Sequence, residues 1–210
     1  MKQPFYSDDL VTIFHGDCRQ IVPMLEPVDL LLTDPPYGIN VAKTGKVGGN
    51  NKGIAKDYGK SDWDTETPPR WLLDMLRATA TWQILWGGNY YGLEAQRGWL
   101  VWDKDNTGAF ADCELAWTNL DTAVRKFTWR WNGMLQKNMG NKEYREHPTQ
   151  KPLELMKWCI QMVPTAETIL DPFGGSGTTG RAAKDMGRKC ILIEREEKYC
   201  EIAAKRMAQE

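Results

Sequence analysis

Short apolar runs recur along the chain, and each ends abruptly in polar or turn-forming residues. Apolar runs of four to eight residues with such boundaries predict buried strands, as in a parallel sheet covered on both faces. Seven segments have this pattern, namely 11–15, 28–32, 83–86, 99–102, 113–117, 168–170 and 190–193.

The segments between these runs carry apolar residues at helical spacing. Trp71, Leu72, Met75 and Leu76, for example, follow two prolines that suit the first turn of a helix. Strands that alternate with helices predict an α/β fold with one doubly wound, mostly parallel sheet. We expect a single domain over 1–210, with helices at 18–25, 68–79, 152–163, 178–186 and 196–207.

A rigid polar loop is expected directly after the second predicted strand, in the sequence Thr33-Asp34-Pro35-Pro36-Tyr37-Gly38. Two consecutive prolines cannot continue a sheet ladder, and they stiffen the backbone. Asp34 and Tyr37 are therefore held at the carboxyl end of a strand, where open α/β sheets bind ligands. An acceptor beside an aromatic ring suits a flat, amine-bearing molecule such as a nucleobase. An ordinary loop with a surface aspartate is the alternative.

A second loop, Asp171 to Thr179, is rich in glycine, follows a strand and opens a helix. Glycines allow close approach of the backbone to a ligand, and the helix start presents free N–H groups. We expect Ser176 or Thr178 to cap the helix. Glu194 follows the next strand, near the spacing at which an acid binds ribose hydroxyls. A NAD-binding turn is the alternative, although the glycine spacing is only GxG.

Composition indicates one ordinary globular domain, with 210 residues, 41% hydrophobic and 26% charged. No apolar run reaches membrane length, and the first residues lack a signal-peptide pattern. Five cysteines without a CxxC pair, together with two histidines, give no recognisable zinc site. We therefore expect a reduced, cytoplasmic chain without a structural metal.

Positive charge is concentrated in two segments, although the net charge is −1. Residues 39–60 carry five lysines and one acid, and residues 119–151 carry seven basic residues and three acids. Two basic segments on an acidic body predict a localised surface for a polyanion. Two solvated loops are the alternative. We expect 39–62, which is rich in Gly, Lys and Asn, to form a long flexible loop.

Three motifs together resemble those of S-adenosylmethionine-dependent DNA amino-methyltransferases. They are Asp34-Pro35-Pro36-Tyr37, the segment His147-Pro148-Thr149-Gln150-Lys151-Pro152, and the glycine loop from Asp171 to Gly177. Their order resembles the permuted β group, and residues 114–134 look like small phage-type members. The resemblance implies a circularly permuted, Rossmann-like class I fold with about seven strands, one of them antiparallel. It also implies DNA as partner, a bacterial or phage origin with action in the cytoplasm, and frequent homodimerisation.

The resemblance assigns catalysis to Asp34, Pro35, Pro36 and Tyr37. The Asp34 carboxylate and the Pro35 carbonyl would each accept a hydrogen of the target amine, and Tyr37 would stack on the base. Around the cofactor, Glu194 would bind ribose hydroxyls and Lys151 would pair with the methionine carboxylate. The full implied cofactor set is Asp17, Cys18, Asp34, His147, Thr149, Lys151, Asp171, Pro172, Phe173, Gly174, Gly175, Ser176, Gly177, Thr178 and Glu194.

DNA contacts are expected mainly from 119–146, a short target-recognition segment. Basic side chains would contact phosphates, and Trp129 and Trp131 would stack on bases, unless one or both pack into the sheet. We expect Trp86, Trp99, Trp102 and Trp117 to lie in the core. The candidate DNA-binding residues are Lys43, Lys46, Lys52, Arg125, Lys126, Arg130, Trp129, Trp131 and Lys137.

Four functions remain open at this point. Aspartate at the first position of the catalytic motif favours adenine N6 as the target in the family, and cytosine N4 is the first alternative. A catalytically silent binding subunit is the second, and an NAD-dependent oxidoreductase is the third.

Overall fold

The computed structural model describes residues 2–40, 64–106, 111–132, 135–140, 142–147 and 149–209. It also gives the backbone pairing of β4 (Lys46–Val47) with β5 (Lys56–Asp57), which are antiparallel. Most of the predicted basic loop 39–62 lies outside the described residues. The same is true of Lys43, Lys52 and Pro148, and of the Lys46 side chain.

One large sheet organises the described chain. Its strands are β1 (Tyr6–Ser7), β2 (Val11–His15), β3 (Val28–Thr33), β6 (Ala80–Trp86), β7 (Trp99–Asp103), β8 (Cys113–Thr118), β9 (Arg125–Thr128), β12 (Thr168–Asp171) and β13 (Lys189–Glu194). A separate two-stranded ribbon pairs β10 (Trp131–Asn132) with β11 (Leu135–Gln136). The helices are α1 (Cys18–Ile21), α2 (Arg70–Arg77), α3 (Leu153–Gln161), α4 (Thr178–Asp185) and α5 (Glu197–Met207), with 3₁₀ turns at Val22–Met24 and Gly88–Tyr90.

The strand order is β1-β2-β13-β12-β3-β6-β8-β7-β9, and only β1 and β8 run antiparallel to their neighbours in this sheet. The predicted α/β class is confirmed, and all seven predicted strands are present. The sheet is wider than predicted because the short β1 pairs with β2 at one edge and β9 pairs with β7 at the other. The added strand β9 ends at Thr128, and Trp131 belongs to the ribbon instead.

Two apolar layers cover the two faces of the sheet, which explains the continuous apolar runs. Within β3, Leu30 and Leu32 face the layer formed with α3, α4 and α5, whereas Leu31 faces α1 and α2. Full burial of all three leucines follows from this alternation. None of the helices in the described part of the chain is long and apolar enough to span a bilayer.

The functional edge of the sheet is set by the neighbouring strands β3 and β12, which pair in parallel. β12 is followed in the chain by β13, which lies on one side of the β12–β3 pair. β3 is followed in this sheet by β6, which lies on the other side of the pair. The two loops that leave these strands therefore diverge and open a crevice. We call this the carboxyl edge, because the parallel strands end here. Asp34 and Asp171 are brought together at this edge.

Candidate active site

A cavity of about 400 Å³ opens at the carboxyl edge, between the loops that follow β2, β3, β12 and β13. All of the predicted cofactor residues except Gly177 line it, and so does Pro36 of the predicted catalytic set. Sequence reasoning missed a further wall, which is formed by residues 65–69 and Leu72 just before and within α2. A cavity of this size is typical of small-molecule sites.

The glycine loop is fastened to the end of β13 by Glu194. The Gly175 N–H donates to Oε2 of Glu194 at 2.8 Å, and the Glu196 N–H donates to Oε1 at 2.7 Å. Gly175 has a φ of +50°, in the left-handed region that favours glycine. Burial raises the pKa of Glu194. This carboxyl group thus shapes the loop and also faces the cavity.

Asp171 ties the same loop to β3. Its Oδ1 accepts from the Thr33 hydroxyl at 2.7 Å and from the Phe173 N–H at 3.1 Å, and its Oδ2 accepts from the Thr179 hydroxyl at 2.6 Å. Burial raises the pKa of Asp171 to about 6, against the opposing effect of these donors. The side chain therefore holds the two ligand loops in register with each other.

Gly177 has a different role from the expected one. Its φ is +80°, and an added Cβ would lie 2.8 Å from the Cβ of Ala203 on α5. Gly177 is part of the implied cofactor set, but it does not line the cavity, and a side chain here would meet a helix. Gly177 is itself the N-cap of α4, without a side-chain capping bond, so neither Ser176 nor Thr178 caps the helix.

The loop after β2 forms a further part of the cavity wall. Asp17 caps α1 by accepting from the Arg19 N–H at 2.9 Å, and its carboxylate also binds the Arg19 guanidinium. Arg19 lowers the pKa of Asp17. Asp17 and the buried Cys18 both line the cavity, as does Glu194.

A network of buried charges surrounds Asp34. Its Oδ1 accepts from the Tyr37 hydroxyl at 2.6 Å, and its Oδ2 lies 2.5 Å from Nζ of Lys151. The same ammonium lies 3.1 Å from Oε2 of Glu114, at the start of β8. Glu114 in turn pairs with Lys104 at 2.5 Å. Lys151 was expected to pair with the cofactor carboxylate. In this structure two protein carboxylates bind its ammonium, and its side chain also lines the cavity, so the pairing with the cofactor stays a prediction.

The charges in this network alter one another's titration. Burial raises the pKa of Asp34, and the Lys151 ammonium acts in the opposite direction. Burial alone would lower the pKa of Lys151, but Asp34 and Glu114 outweigh it and raise that pKa. Glu114 is buried as well, yet Lys151 and Lys104 lower its pKa to about 2. At neutral pH, Lys151 is therefore a cation and Glu114 an anion.

Two tyrosines after β6 complete the catalytic loop, and sequence reasoning missed both. The single O–H of Tyr91 is shared between two backbone carbonyls, that of Pro35 at 2.8 Å and that of Trp86 at 3.0 Å. The Tyr37 ring stacks on Tyr90, with centroids 4.9 Å apart. A base stacked on this face of Tyr37 would have to displace Tyr90. The available signal was the Gly-Gly-Asn-Tyr-Tyr segment directly after a predicted strand.

His147 supports the loop that carries Lys151. Its Nδ1 accepts from the Thr149 N–H at 3.3 Å, and its ring packs edge-on against Tyr199 at 4.4 Å. Burial, together with nearby cations, lowers the pKa of His147 to about 3. The imidazole is therefore uncharged at neutral pH, as suits a side chain that orients the loop.

Four of the candidate DNA-binding residues, Arg125, Lys126, Arg130 and Lys137, are exposed and lie at or near the outer edge of the sheet. Lys126 pairs with Asp103 at 3.0 Å and Arg130 with Asp105 at 2.7 Å. The Lys137 ammonium lies 5.2 Å from the centre of the Trp129 ring. The Arg125 guanidinium donates to the Thr122 hydroxyl at 3.2 Å. These contacts are those of a charged, solvated face that a polyanion can reach.

The two tryptophans of this segment pack inward to different degrees. Trp131 is only 6% exposed, belongs to the core, and donates its indole N–H to the Gln150 carbonyl. Its predicted stacking on a base was therefore wrong. Trp129 is partly buried and stacks on Phe127 at 5.8 Å. Phe127 stacks in turn on Trp158 of α3, which anchors β9 to the core. Trp86, Trp102 and Trp117 are buried as expected, while Trp99 is partly buried.

Comparisons with known proteins agree with this geometry. The DNA methylase family model (N6/N4 type) matches residues 94–205. The chain is 26% identical to the Type II methyltransferase M2.DpnII of Streptococcus pneumoniae, over 100% of the chain and 94% of the relative. It is 28% identical to the Type II methyltransferase M.HinfI of Haemophilus influenzae, over 100% of the chain and 71% of the relative.

Two solved structures have a similar fold. The M1.HpyAVI–SAM complex superposes with a TM-score of 0.57 at 24% identity, over 94% of this chain and 100% of that chain. The PvuII DNA methyltransferase, described as cytosine-N4-specific, superposes with a TM-score of 0.65 at 18% identity, over 100% of this chain and 90% of that chain.

Proposed function

The chain belongs to the DNA methylase family, and we propose that it transfers a methyl group from S-adenosylmethionine to the exocyclic N6 amine of adenine in DNA. The observation that carries the proposal is the position of Asp34. Its carboxylate lies in the wall of the cavity and is fixed on both oxygens, by Tyr37 and by Lys151. A carboxylate placed in this way can hold a flat amine against a ligand in the same cavity.

The cavity fits S-adenosylmethionine in the chemistry of its lining. Carboxylates at one end, Glu194 and Asp17, suit ribose hydroxyls and an adenine amine, and apolar side chains such as Leu72 and Phe173 suit the purine ring. Gly175 leaves room beside the loop, since an added Cβ would have its nearest neighbour, the His147 ring, at 3.7 Å. When bound, this cofactor supplies a methyl group that is already activated on a sulfonium.

Asp34 then acts on the target amine. The lone pair of an adenine amine is delocalised into the ring, so the nitrogen is a weak nucleophile. A hydrogen bond from the amine to Asp34 favours its pyramidal form and stabilises the positive charge that develops on nitrogen. A carboxylate has about four acceptor sites, so Asp34 can accept from the amine while it keeps Tyr37 and Lys151. The methylated ammonium is acidic, and therefore no histidine base is required.

The Pro35 carbonyl is the second acceptor that we propose for the amine. It already accepts from the Tyr91 hydroxyl, and a carbonyl oxygen has a second lone pair. Tyr91 therefore fixes the carbonyl without closing it to the substrate. The amine of a base inside a duplex cannot reach this depth, so the base must flip out of the stack.

DNA binding is proposed for the exposed edge formed by β9 and the segment that follows it. Support comes from the basic, accessible side chains of Arg125, Lys126, Arg130 and Lys137. The recognition segment 119–146 is short, which favours a short target sequence. We further propose a cytoplasmic location, where DNA and the cofactor are found. A homodimer is proposed as the assembly, and three exposed apolar side chains, Leu135, Met139 and Tyr144, are candidate contacts for it.

The decisive experiment identifies the methylated base. DNA incubated with the protein and methyl-labelled S-adenosylmethionine is digested to nucleosides, and the products are identified by mass, with Asp34→Ala as the inactive control. We expect N6-methyladenine. N4-methylcytosine would overturn the choice of adenine while leaving the reaction type intact. Absence of any labelled base with the unaltered protein would overturn the proposed function.

A further inference from the structure

Four side chains of alternating charge form a row that begins at the catalytic carboxylate. Asp34 binds Lys151, Lys151 binds Glu114, and Glu114 binds Lys104, with N–O distances of 2.5, 3.1 and 2.5 Å. Three separate parts of the chain supply them: the loop after β3, the segment before α3, and the strands β7 and β8 with their connection. The row therefore links the loop that carries Asp34 to the antiparallel strand β8.

A buried row of this kind is expensive for folding. Ions taken out of water lose hydration that their mutual attraction only partly restores, so an apolar replacement is often more stable. The Lys151 side chain is only 5% exposed, yet its ammonium serves two carboxylates at once. Such an arrangement points to a role in the chemistry of Asp34, since stability alone does not explain it.

The two neighbours act on Asp34 in opposite directions. Lys151 favours the ionised carboxylate, whereas Glu114 is a second negative charge close by and opposes ionisation. Without Glu114, Lys151 would pair with Asp34 alone. That stronger ion pair would make Asp34 a weaker hydrogen-bond acceptor for an amine. Glu114 shares the ammonium and so leaves Asp34 ionised but still a strong acceptor.

We propose that Lys151 and Glu114 are positioning residues for methyl transfer, and that together they set the charge and acceptor strength of Asp34. The inference rests on the proposed function and extends it. Glu114 lies far from the sequence motifs of the site and touches the reacting groups only through Lys151 and Tyr37.

Other titratable groups surround the row and contribute to the electrostatics around Asp34. His147 is uncharged at neutral pH, and the Asp34 carboxylate contributes to the raised pKa of Asp171. The two hydroxyl groups that face Asp34 and the Pro35 carbonyl belong to Tyr37 and Tyr91. The test variants change only Lys151, Glu114 or Lys184. The other groups therefore influence the pKa of Asp34 in every protein that is compared.

The test is the pH dependence of single-turnover methyl transfer at saturating cofactor and DNA. The rate needs ionised Asp34 and must fall as the pH drops through its pKa. Lys151→Met removes the cation, raises the pKa of Asp34 and moves this fall to higher pH. Glu114→Gln removes the competing anion, lowers that pKa and moves the fall to lower pH. Each shift should be about one pH unit, with a plateau loss on the order of 10- to 100-fold.

A matched control tests whether loss of any part-buried lysine pair has the same effect. Lys184→Met breaks a pair with Asp8 on the opposite part of the sheet, with an N–O distance of 2.5 Å. It should leave both the plateau rate and the pH profile unchanged. The double variant Lys151→Met/Glu114→Gln removes one charge of each sign, and its profile should return toward that of the unaltered protein. This double variant also remains informative if Lys151→Met alone folds poorly.

Opposite shifts in the two single variants support the proposal. Loss of rate without any shift would overturn it, because that result indicates a purely structural row. Shifts in the same direction would also overturn it. An unaltered protein without methyl transfer would instead mean failure of the proposed function, so the two failures are distinguishable.

Discussion

Two lysine–aspartate pairs of the molecule look alike in geometry and differ in surroundings. Lys151 and Asp34 are 2.5 Å apart at the active site, and Lys126 and Asp103 are 3.0 Å apart at the outer edge of the sheet. The lysine side chain is 5% exposed in the first pair and 62% exposed in the second. Distance alone therefore says little about what a charged pair contributes.

Burial decides the difference. Water and salt screen an exposed pair, so it contributes roughly 0–1 kcal/mol and leaves both partners free to exchange for other ions. A buried pair cannot exchange, and breaking one partner leaves an uncompensated charge. The charges at the active site are thus fixed, because their partners are buried with them. The charges at the outer edge are replaceable, because other ions can take the place of their partners. The first suits catalysis, and the second suits a phosphate backbone, which must be bound and released.

The largest expected effect comes from removing the fixed charge. Asp34→Ala should lower the rate of methyl transfer by on the order of 10²–10³, because the lost hydrogen bond strengthens as charge develops on nitrogen. DNA binding should persist, and the loss should appear in kcat. Single-turnover transfer of labelled methyl to DNA at saturating cofactor measures it. Near-normal turnover would remove Asp34 from the mechanism.

Asp34→Asn sharpens this result. It keeps one acceptor oxygen but loses the charge, and it should therefore retain more activity than Asp34→Ala while remaining well below the unaltered protein. Equal activity of the two variants would show that the charge, rather than the acceptor oxygen, carries the whole effect.

The next largest effect is a loss of stability caused by a steric collision at Gly177, beside the active site. Gly177→Val should destabilise the protein by about 2–4 kcal/mol, because it forces a branched side chain into a left-handed backbone and against Ala203. Gly187→Val is the matched control, since Gly187 also has a positive φ but has nothing within 4 Å of an added Cβ. The difference in free energy of unfolding between the variants, from urea titrations, isolates the collision. Equal destabilisation would show that backbone strain alone matters.

These examples show which features the sequence could predict. Apolar runs and helical periodicity depend on local pattern, and they were enough for the seven main strands and five helices. The loops at Asp34 and Asp171 could be placed because they directly follow such runs. The pairing of Lys151 with Glu114 could not be foreseen. It depends on the order of the strands in the sheet, which places β8 beside β6.

The sequence left open whether Trp131 stacks on a base or packs inward, for a related reason. An alternating basic and aromatic segment is compatible with an exposed strand or with a strand that turns one face inward. The hydrogen bond from the Trp131 indole N–H to the Gln150 carbonyl joins two segments that no local sequence pattern connects. Local pattern therefore predicted the elements, and tertiary contacts decided the roles of individual side chains.

A smaller effect is expected from Asp171, another buried carboxyl group of the site. Asp171 has no cation among its hydrogen-bond donors, and its pKa is raised to about 6 in the folded protein. The unfolded chain therefore loses this proton at lower pH, and folding stability falls as the pH rises from about 4 to about 6. Asp171→Asn removes the effect.

We expect the stability of Asp171→Asn relative to the unaltered protein to improve with rising pH over that window. The gain should be at most about 3 kcal/mol and complete above about pH 6. Free energies of unfolding from urea titrations at several pH values provide the measurement. A constant difference between the two proteins across the window would show that Asp171 titrates normally.

The smallest effect on stability is expected at the outer edge, where the charges are replaceable. Lys126→Ala with Arg130→Ala should change the free energy of unfolding by no more than about 0.5 kcal/mol, because both pairs are exposed. DNA affinity should nevertheless weaken, and its salt dependence should lose about one unit of slope for each phosphate contact removed. Arg97→Ala breaks an even more exposed pair, with Asp121, and Arg97 lies before β7 and thus at the opposite end of the strands. It should leave the slope unchanged, so an unchanged slope in the double variant as well would mean that this edge is only a solvated face.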